Sequence, residues 1–166
     1  MGEKNNIIIE SWRGFMKLCS GRQQAYCKSK LDNAFVCHCV SIKDVFTADE
    51  IMLIKHVIRP KEKMCFKNSF DLCRIFPNRC KYIDGEAGIA NNSWGVEHAW
   101  NIIDDKYYVD ITFELVLQED VSNVLYVGIG TYDLNTITNV GLETGYYGGV
   151  YEALYRKNFI HSDIKL

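Results

Sequence analysis

Val96-Glu97-His98-Ala99-Trp100-Asn101 is followed, after the turn Asp104-Asp105-Lys106, by Tyr107-Tyr108-Val109-Asp110-Ile111-Thr112-Phe113, and this stretch decides the fold. Both outer runs are rich in aromatic and β-branched residues, which favour strands. The charged segment between them is typical of a turn. We therefore predict an antiparallel hairpin with strands at Val96–Ile103 and Tyr107–Phe113.

The length of the turn decides which side chains of this hairpin meet. A three-residue turn places Ile103 opposite Tyr107 and Trp100 opposite Asp110, whereas a two-residue turn would put His98 and Asp110 on opposite faces. With three turn residues, His98 and Asp110 become diagonal neighbours on one face. Such neighbours lie about 7–8 Å apart, which an imidazole and a carboxylate can bridge. The sequence therefore predicts a paired histidine and aspartate.

A cysteine upstream completes a candidate catalytic set. Apolar residues recur through Cys65–Phe76 at positions 65, 66, 70, 72, 73 and 76, which predicts a buried helix. Cys65 then lies in the first turn, where free N–H groups and the helix dipole stabilise a thiolate. Nucleophile, base and orienting carboxylate are the three parts that thiol acyl transfer requires, so we predict Cys65, His98 and Asp110 as catalytic residues.

The sequence offers several residues for substrate binding, with less to decide among them. The backbone N–H of Cys65 is the natural first donor to an oxyanion, and Trp94, Asn68 or a backbone group could be the second. Trp100 could form a wall of the cleft, although packing within the strand is the simpler interpretation. We retain Trp94, Asn68 and Trp100 as candidate substrate-binding residues.

The rest of the chain predicts an α+β fold in a single domain over residues 1–166. A mainly helical part, 1–60, ends in a helix that starts at the capping box of Thr47 and Glu50 and stops before Pro60. The core, 61–166, adds strands at Lys81–Ala87 and Val124–Ile129 and a closing helix at Tyr146–Phe159. Residues 22–46 are ambiguous, and Phe35–Val40 fits either a helix or a buried strand.

Composition narrows the class of function. The chain has 166 residues, 48% apolar and 24% charged, as is typical of a globular domain, and its net charge of −2 does not favour nucleic acid. No apolar run is long enough for a membrane span. Seven cysteines without an export signal indicate reduced thiols and a cytoplasmic location. Cys37-His38-Cys39 leaves a metal site open, but the spacing is poor for zinc, so we predict no metal and no cofactor.

Four segments carry a resemblance to a known family. They are Cys65–Ser69, Tyr82–Ala87, Glu97–Asn101 and Val109–Phe113, within roughly residues 60–115, about a third of the chain. The pair of motifs His-Ala-Trp-Asn and Asp-x-Thr resembles the transglutaminase-like branch of the papain-like cysteine enzymes. The resemblance implies a nucleophile-bearing helix packed on an antiparallel sheet, with Cys65 as nucleophile, His98 as base and Asp110 as orienting residue. Ile111 stands where the family usually has proline, and Phe66 where tryptophan is common.

These observations favour a cysteine-dependent enzyme that acts on an amide or related acyl bond of a peptide, a protein side chain or a small amide. Hydrolysis, by a peptidase, amidase or deamidase, needs no second binding site and is the leading interpretation. Transfer to an amine, as in a transglutaminase, is an alternative. So is a catalytically silent binding or inhibitory protein on the same scaffold.

Overall fold

The computed structural model describes residues 6–89 and 95–162 and shows an α+β protein, which confirms the predicted fold class. The described part has seven α-helices and five strands. The helices are α1 (Ile7–Leu18), α2 (Gly21–Asn33), α3 (Ala48–Leu53), α4 (Cys65–Ile75), α5 (Ile111–Leu115), α6 (Leu134–Thr144) and α7 (Val150–Ser162). The strands are β1 (Phe35–Cys37), β2 (Cys80–Ile89), β3 (Val96–Ile103), β4 (Tyr107–Val109) and β5 (Val124–Tyr132).

The five strands form one curled antiparallel sheet in the order β1-β5-β2-β3-β4. Its edges approach each other just after β1, where Cys39 bridges to Tyr108 of β4. The backbone N–H of Val40 donates to the carbonyl of Tyr108 at 2.9 Å. One face of the sheet is thereby enclosed, and we call it the inner face. The helices α1, α2 and α4 pack against the outer face.

The predicted hairpin turn is confirmed. Ile103 pairs with Tyr107, and the three turn residues 104–106 connect them. Asp104 and Asp105 both adopt the left-handed conformation, which aspartate tolerates better than most residues. The prediction that the second strand runs to Phe113 is wrong, because Asp110 ends β4 and caps α5. Its side chain accepts from the backbone N–H groups of Thr112 and Phe113, and these bonds start a helix in place of a longer strand.

Several other sequence predictions have clear outcomes. The capping box is present, since the Thr47 hydroxyl accepts from the N–H of Glu50 and the Glu50 carboxylate accepts from the N–H of Thr47. The helix continues from α3 as a π-helical turn, Ile54–Ile58, and ends at Arg59 in a left-handed conformation. Phe35–Cys37 is a strand, which settles the alternative left open there. The closing helix begins at Val150, after the glycine pair, and not at Tyr146.

The sheet has hydrophobic packing on both faces, which we call the inner core and the outer core. The inner core contains Trp100 of β3 and Tyr126 of β5, together with Phe113 of α5. The outer core contains Leu72 and Cys73 of α4 against the other face of β3. The helix that begins at Cys65 is thus packed on the strand that carries His98. No helix in the described residues is both long enough and apolar enough to cross a membrane.

Candidate active site

Cys65 is the first residue of α4, as the sequence predicts. Met64 before it has a non-helical backbone (φ −117°, ψ 28°), and the first backbone bond of the helix runs from the N–H of Asn68 to the carbonyl of Met64 at 2.8 Å. The N–H groups of the first turn therefore point out of the helix end. Cys65 is half-buried, whereas His98 and Asp110 are buried. Its own backbone N–H fits the first oxyanion donor that we predict.

His98 lies on the inner face of β3, directly opposite Gly85 of β2, and is 4% exposed. A Cβ atom at Gly85 would lie 2.8 Å from the ring of Trp100 and 2.2 Å from the carbonyl oxygen of Val127. Only glycine allows the tryptophan ring to lie over the strand at this point. The ring of Trp100 is nearly parallel to that of His98, with centroids 6.1 Å apart. The aromatic core thus fixes the plane of the imidazole.

Asp110 is 1% exposed, and its carboxylate receives four hydrogen bonds. Its Oδ1 accepts from the backbone N–H groups of Thr112 and Phe113 at 2.9 and 3.1 Å. Its Oδ2 lies 2.6 Å from His98 Nε2 and 3.0 Å from the hydroxyl of Tyr126. Because Nε2 is engaged by the carboxylate, the other ring nitrogen, Nδ1, remains for the thiol.

Tyr126 is a site residue that sequence reasoning missed. It lies on β5, far from the motifs in sequence, is fully buried, and donates its hydroxyl to Asp110 Oδ2. The sequence predicts a strand at Val124–Ile129 but gives no sign that Tyr126 within it meets a carboxylate. Tyr126 holds the oxygen atom that also binds His98, so we assign it a positioning role.

The electrostatics of the site favour a protonated His98. Burial acts to lower the pKa of His98, but the charge and hydrogen bond of Asp110 outweigh it. With a further contribution from a hydrogen bond to Cys65, they raise the pKa to about 10. The Cys65 thiol is thus close enough to His98 to influence its charge. His98 and Asp110 form a direct pair, and Cys65 at the start of α4 lies near them.

Buried hydrogen bonds fasten α4 to the strand that carries His98. The hydroxyl of Ser69 donates to the carbonyl of Ala99 at 2.9 Å, and Asn101 Nδ2 donates to the carbonyl of Ser69 at 3.0 Å. Ser69, Ala99 and Asn101 are all buried, so these hydrogen bonds are shielded from water. A bond of this kind contributes about 0.5–1.5 kcal/mol, and breaking one leaves a buried group unpaired. These contacts between α4 and β3 thus fix the position of Cys65 relative to His98.

The candidate substrate-binding residues have different surroundings. Asn68 is 4% exposed, and its Nδ2 donates both to the carbonyl of Lys61 at 2.9 Å and to the hydroxyl of Thr112 at 3.0 Å. Both amide hydrogens are used in hydrogen bonds within the protein. Asn68 therefore links α4 to Lys61 and Thr112 and is a poor second oxyanion donor. Trp100 is fully buried and packs as part of the inner core. Trp94 lies outside the described residues.

Five of the other six cysteines are buried, and Cys19 is the exception. Cys73 and Cys80 are buried with their sulfur atoms 3.3 Å apart in the outer core, and Cys80 is the first residue of β2. Burial raises the pKa of the Cys80 thiol. Cys37 and Cys39 are buried while His38 between them is exposed, so the three cannot converge on one ion. Within the described ranges, no group of three His, Cys, Asp or Glu side chains is arranged to hold a metal.

Comparison with known proteins gives no match: no family model, no curated protein and no solved structure is significantly similar to this chain. What the arrangement can do chemically follows from its own side chains. A half-buried cysteine begins α4, and a buried imidazole nearby is paired with a fully hydrogen-bonded carboxylate. This is the order of groups used in nucleophilic acyl transfer by cysteine.

Proposed function

We propose that this protein is a cysteine-dependent acyl-transfer enzyme that hydrolyses amide bonds, with Cys65 as nucleophile, His98 as base and acid, and Asp110 as orienting residue. The observation that carries the proposal is the buried pair of His98 and Asp110, with 2.6 Å between Nε2 and Oδ2, close to the half-buried Cys65 at the start of α4. The resemblance to the transglutaminase-like branch of the papain-like enzymes, with its helix on an antiparallel sheet, supports it further. That resemblance rests on sequence motifs.

The reaction would proceed in two steps. The Cys65 sulfur attacks the carbonyl carbon, and the oxyanion that forms is stabilised by the backbone N–H of Cys65. The C–N bond then breaks, and the amine leaves with a proton from His98 Nδ1, which produces a thioester on Cys65. In the second step, water gives a proton to His98 and attacks the thioester, which releases the carboxylic acid and restores the thiol.

The four hydrogen bonds to Asp110 serve both steps. A carboxylate held at this position fixes the ring of His98 and stabilises the imidazolium during the attack. Because the imidazole is buried against Phe113, with ring centroids 5.0 Å apart, bulk water does not screen this interaction. The pair therefore keeps its orientation without a large rearrangement when charge develops.

Alkylation of Cys65 as a function of pH tests the activated pair. Iodoacetamide labelling is measured site by site by mass spectrometry, with Cys19, the other half-exposed cysteine, as internal control. A free thiol with a pKa of about 8.5 loses about 75-fold in alkylation rate between pH 8 and pH 6. We expect Cys65 to lose less than about threefold over that interval, and to behave as a free thiol in His98→Gln. Parallel pH profiles for Cys65 and Cys19 would refute the proposal.

Acyl transfer itself can be followed with p-nitrophenyl acetate, an activated ester with a small acyl group. We expect an acetyl group on Cys65, continued release of nitrophenol after one equivalent, and loss of both in Cys65→Ser but not in Cys19→Ser. Formation of an acetylated amine when an amine is added, at the expense of acetate, would identify transfer as the dominant reaction. Absence of an acetylated Cys65 at any pH would favour the binding protein on the same scaffold.

A further inference from the structure

A short aromatic loop follows α6 and lies beside the nucleophile. It is Gly145-Tyr146-Tyr147-Gly148-Gly149, and its first and last residues have positive φ angles of 70° and 62°, which glycine adopts without strain. The hydroxyl of the buried Tyr82 donates to the carbonyl of Tyr147 at 3.1 Å, and the hydroxyl of Thr144 donates to the carbonyl of Tyr146 at 3.2 Å. We call residues 145–149 the aromatic loop. Its backbone is held in place from both ends.

The aromatic loop contacts the helix turn that carries Cys65. A Cβ atom at Gly148 would lie only 2.8 Å from the ring of Phe66, the residue after Cys65. The same ring meets that of Tyr146 edge to face, with centroids 5.6 Å apart. Burial raises the pKa of Tyr146, and the nearby charge of Cys65 raises it further, which agrees with this proximity. Tyr146 therefore lies beside the first turn of α4, which carries Cys65.

A groove begins at Tyr146 and runs between α4 and α6. It has a volume of about 310 Å³ and is lined largely by apolar side chains, with no charged residue among them. The lining includes Phe70 of α4, Ile137 and Leu142 of α6, and the two tyrosines of the aromatic loop. Leu142 is 80% exposed, Tyr146 54% and Tyr147 40%. Such a cluster of exposed apolar residues on a protein surface marks a binding site more often than chance.

We propose that this groove binds an apolar side chain of a peptide or protein substrate, at a position close to the acyl group that Cys65 attacks. The inference rests on the proposed function and names its substrate class. Continuity is the main argument, because Tyr146 lines the groove and also contacts Phe66, the residue after Cys65. The volume lies at the lower limit of ligand pockets, about 300–1,000 Å³, so it suits one or two side chains and not a folded segment. The absence of charge in the described lining disfavours acidic or basic side chains, which would lose hydration there without a partner.

Chloromethyl ketones of N-acetylated amino acids test this assignment. In each reagent the Cys65 sulfur displaces chloride and forms a thioether, while the side chain next to the ketone is varied among glycine, leucine, phenylalanine and aspartate. The readout is the rate constant of each reagent divided by that of the glycine reagent, measured at Cys65 for each variant. We expect the leucine and phenylalanine reagents to react about tenfold faster than the glycine reagent, equivalent to about 1.4 kcal/mol. The aspartate reagent should show no such gain.

Two variants locate the preference. Leu142→Glu introduces a charge into the groove, and Leu18→Glu makes the same change on α1 at a residue that is 86% exposed and outside the groove. The preference for apolar reagents should fall toward unity in Leu142→Glu and in Tyr146→Ala, and persist in Leu18→Glu. Rapid labelling of Cys65 without any side-chain preference, or a preference indifferent to Leu142→Glu and Tyr146→Ala, overturns the groove assignment alone. Labelling of Cys65 as slow as that of Cys19 with every reagent overturns the proposed function and the groove assignment with it.

Discussion

Replacement of Asp110 by asparagine tests the electrostatic centre of the site while it preserves the local fold. Asparagine retains an oxygen that can accept from the N–H groups of Thr112 and Phe113, so the cap of α5 survives. The other side of the amide is an NH₂ group, and it would face His98 and the hydroxyl donor of Tyr126. The substitution therefore removes the negative charge that stabilises the imidazolium of His98. It also places the NH₂ donor of asparagine against the hydroxyl donor of Tyr126.

The size of the effect follows from the surroundings of His98. Burial alone would lower its pKa, yet Asp110, with help from Cys65, raises it from the ordinary 6.5 to about 10. At about 1.36 kcal/mol per pKa unit, this rise corresponds to a stabilisation of the order of 5 kcal/mol. Breaking a buried ion pair typically costs about 3–5 kcal/mol, so the two routes agree. We expect Asp110→Asn to reduce the free energy of unfolding by about 3–5 kcal/mol at pH 6.

The pH dependence carries the sharper test. A histidine whose pKa is raised in the folded state contributes stability that is present in full below its unfolded pKa, and that stability is lost as the pH rises through the folded pKa. The difference between wild type and Asp110→Asn should therefore be largest near pH 6 and shrink markedly by pH 10. Guanidinium unfolding, followed by tryptophan fluorescence at several pH values, gives the free energies of unfolding.

Asp133→Asn is the matched control, since Asp133 caps α6 through the N–H of Thr136 at 2.8 Å and has an exposed position without a histidine partner. Aspartate and asparagine are about equally good caps, so this variant should differ little from wild type. A destabilisation by Asp110→Asn that is constant from pH 6 to pH 10 would mean that Asp110 does not stabilise a charged His98. The reasoning about the pair would then be refuted.

Four further substitutions test Tyr126 and three residues outside the His98–Asp110 pair. Tyr126→Phe removes one donor to the buried carboxylate but keeps the ring, and should lower the free energy of unfolding by about 1.5–3 kcal/mol; a loss below about 0.5 kcal/mol in guanidinium unfolding would remove its positioning role. Burial raises the pKa of Asp84 to about 6, so the folded protein loses stability as the pH rises through that value. The free energy of unfolding of Asp84→Asn should therefore exceed that of wild type by up to about 3 kcal/mol at pH 8 and equal it at pH 4. Equal gains at both pH values would contradict this. Gly128→Ala would put a methyl group 2.3 Å from the ring of Phe35 and should lower the free energy of unfolding by about 1–3 kcal/mol. Gly14→Ala, in an open part of α1, should raise it by about 0.5–1 kcal/mol. Thermal melts of the two variants should therefore shift in opposite directions from wild type.

The parts of the fold that the sequence predicts are those whose signals are local. The turn at 104–106 and the capping box at Thr47 depend on a few neighbouring residues, and both form as expected. The start of α4 at Cys65 follows from apolar periodicity after a proline. The end of β4 is different, because Tyr107–Phe113 has strand-like composition throughout. Asp110 overrides that composition by accepting two backbone N–H groups, and a cap competes with strand propensity wherever its partners are available.

Two kinds of feature could not be predicted from the sequence: a helix with a weak apolar period, and contacts between residues that are distant in the chain. The segment that forms α6, Leu134–Thr144, contains two β-branched residues among its apolar positions and a glycine, so its helical period is weak. The bond between Tyr126 and Asp110 joins β5 to the N-cap of α5, which directly follows β4, and β4 and β5 are not adjacent in the sheet. It arises only because the sheet curls and encloses both side chains. The role of Asn68 was likewise hidden, since a polar residue early in a helix gives no sign of whether it faces a substrate or a neighbouring helix.

The three elements that carry Cys65, His98 and Asp110 are joined pairwise by buried hydrogen bonds. Asn68 on α4 donates to Thr112 on α5 at 3.0 Å, and Ser69 on α4 donates to the backbone of β3 at 2.9 Å. The bond between His98 and Asp110 joins β3 to α5 and completes the triangle. Because each pair of elements is linked directly, a shift of any one of them would strain two bonds in a region without water to replace them. Asn68 and Ser69 directly follow the first turn of the nucleophile helix, so the residues that position the thiol and those that hold the triangle together belong to one short stretch of α4.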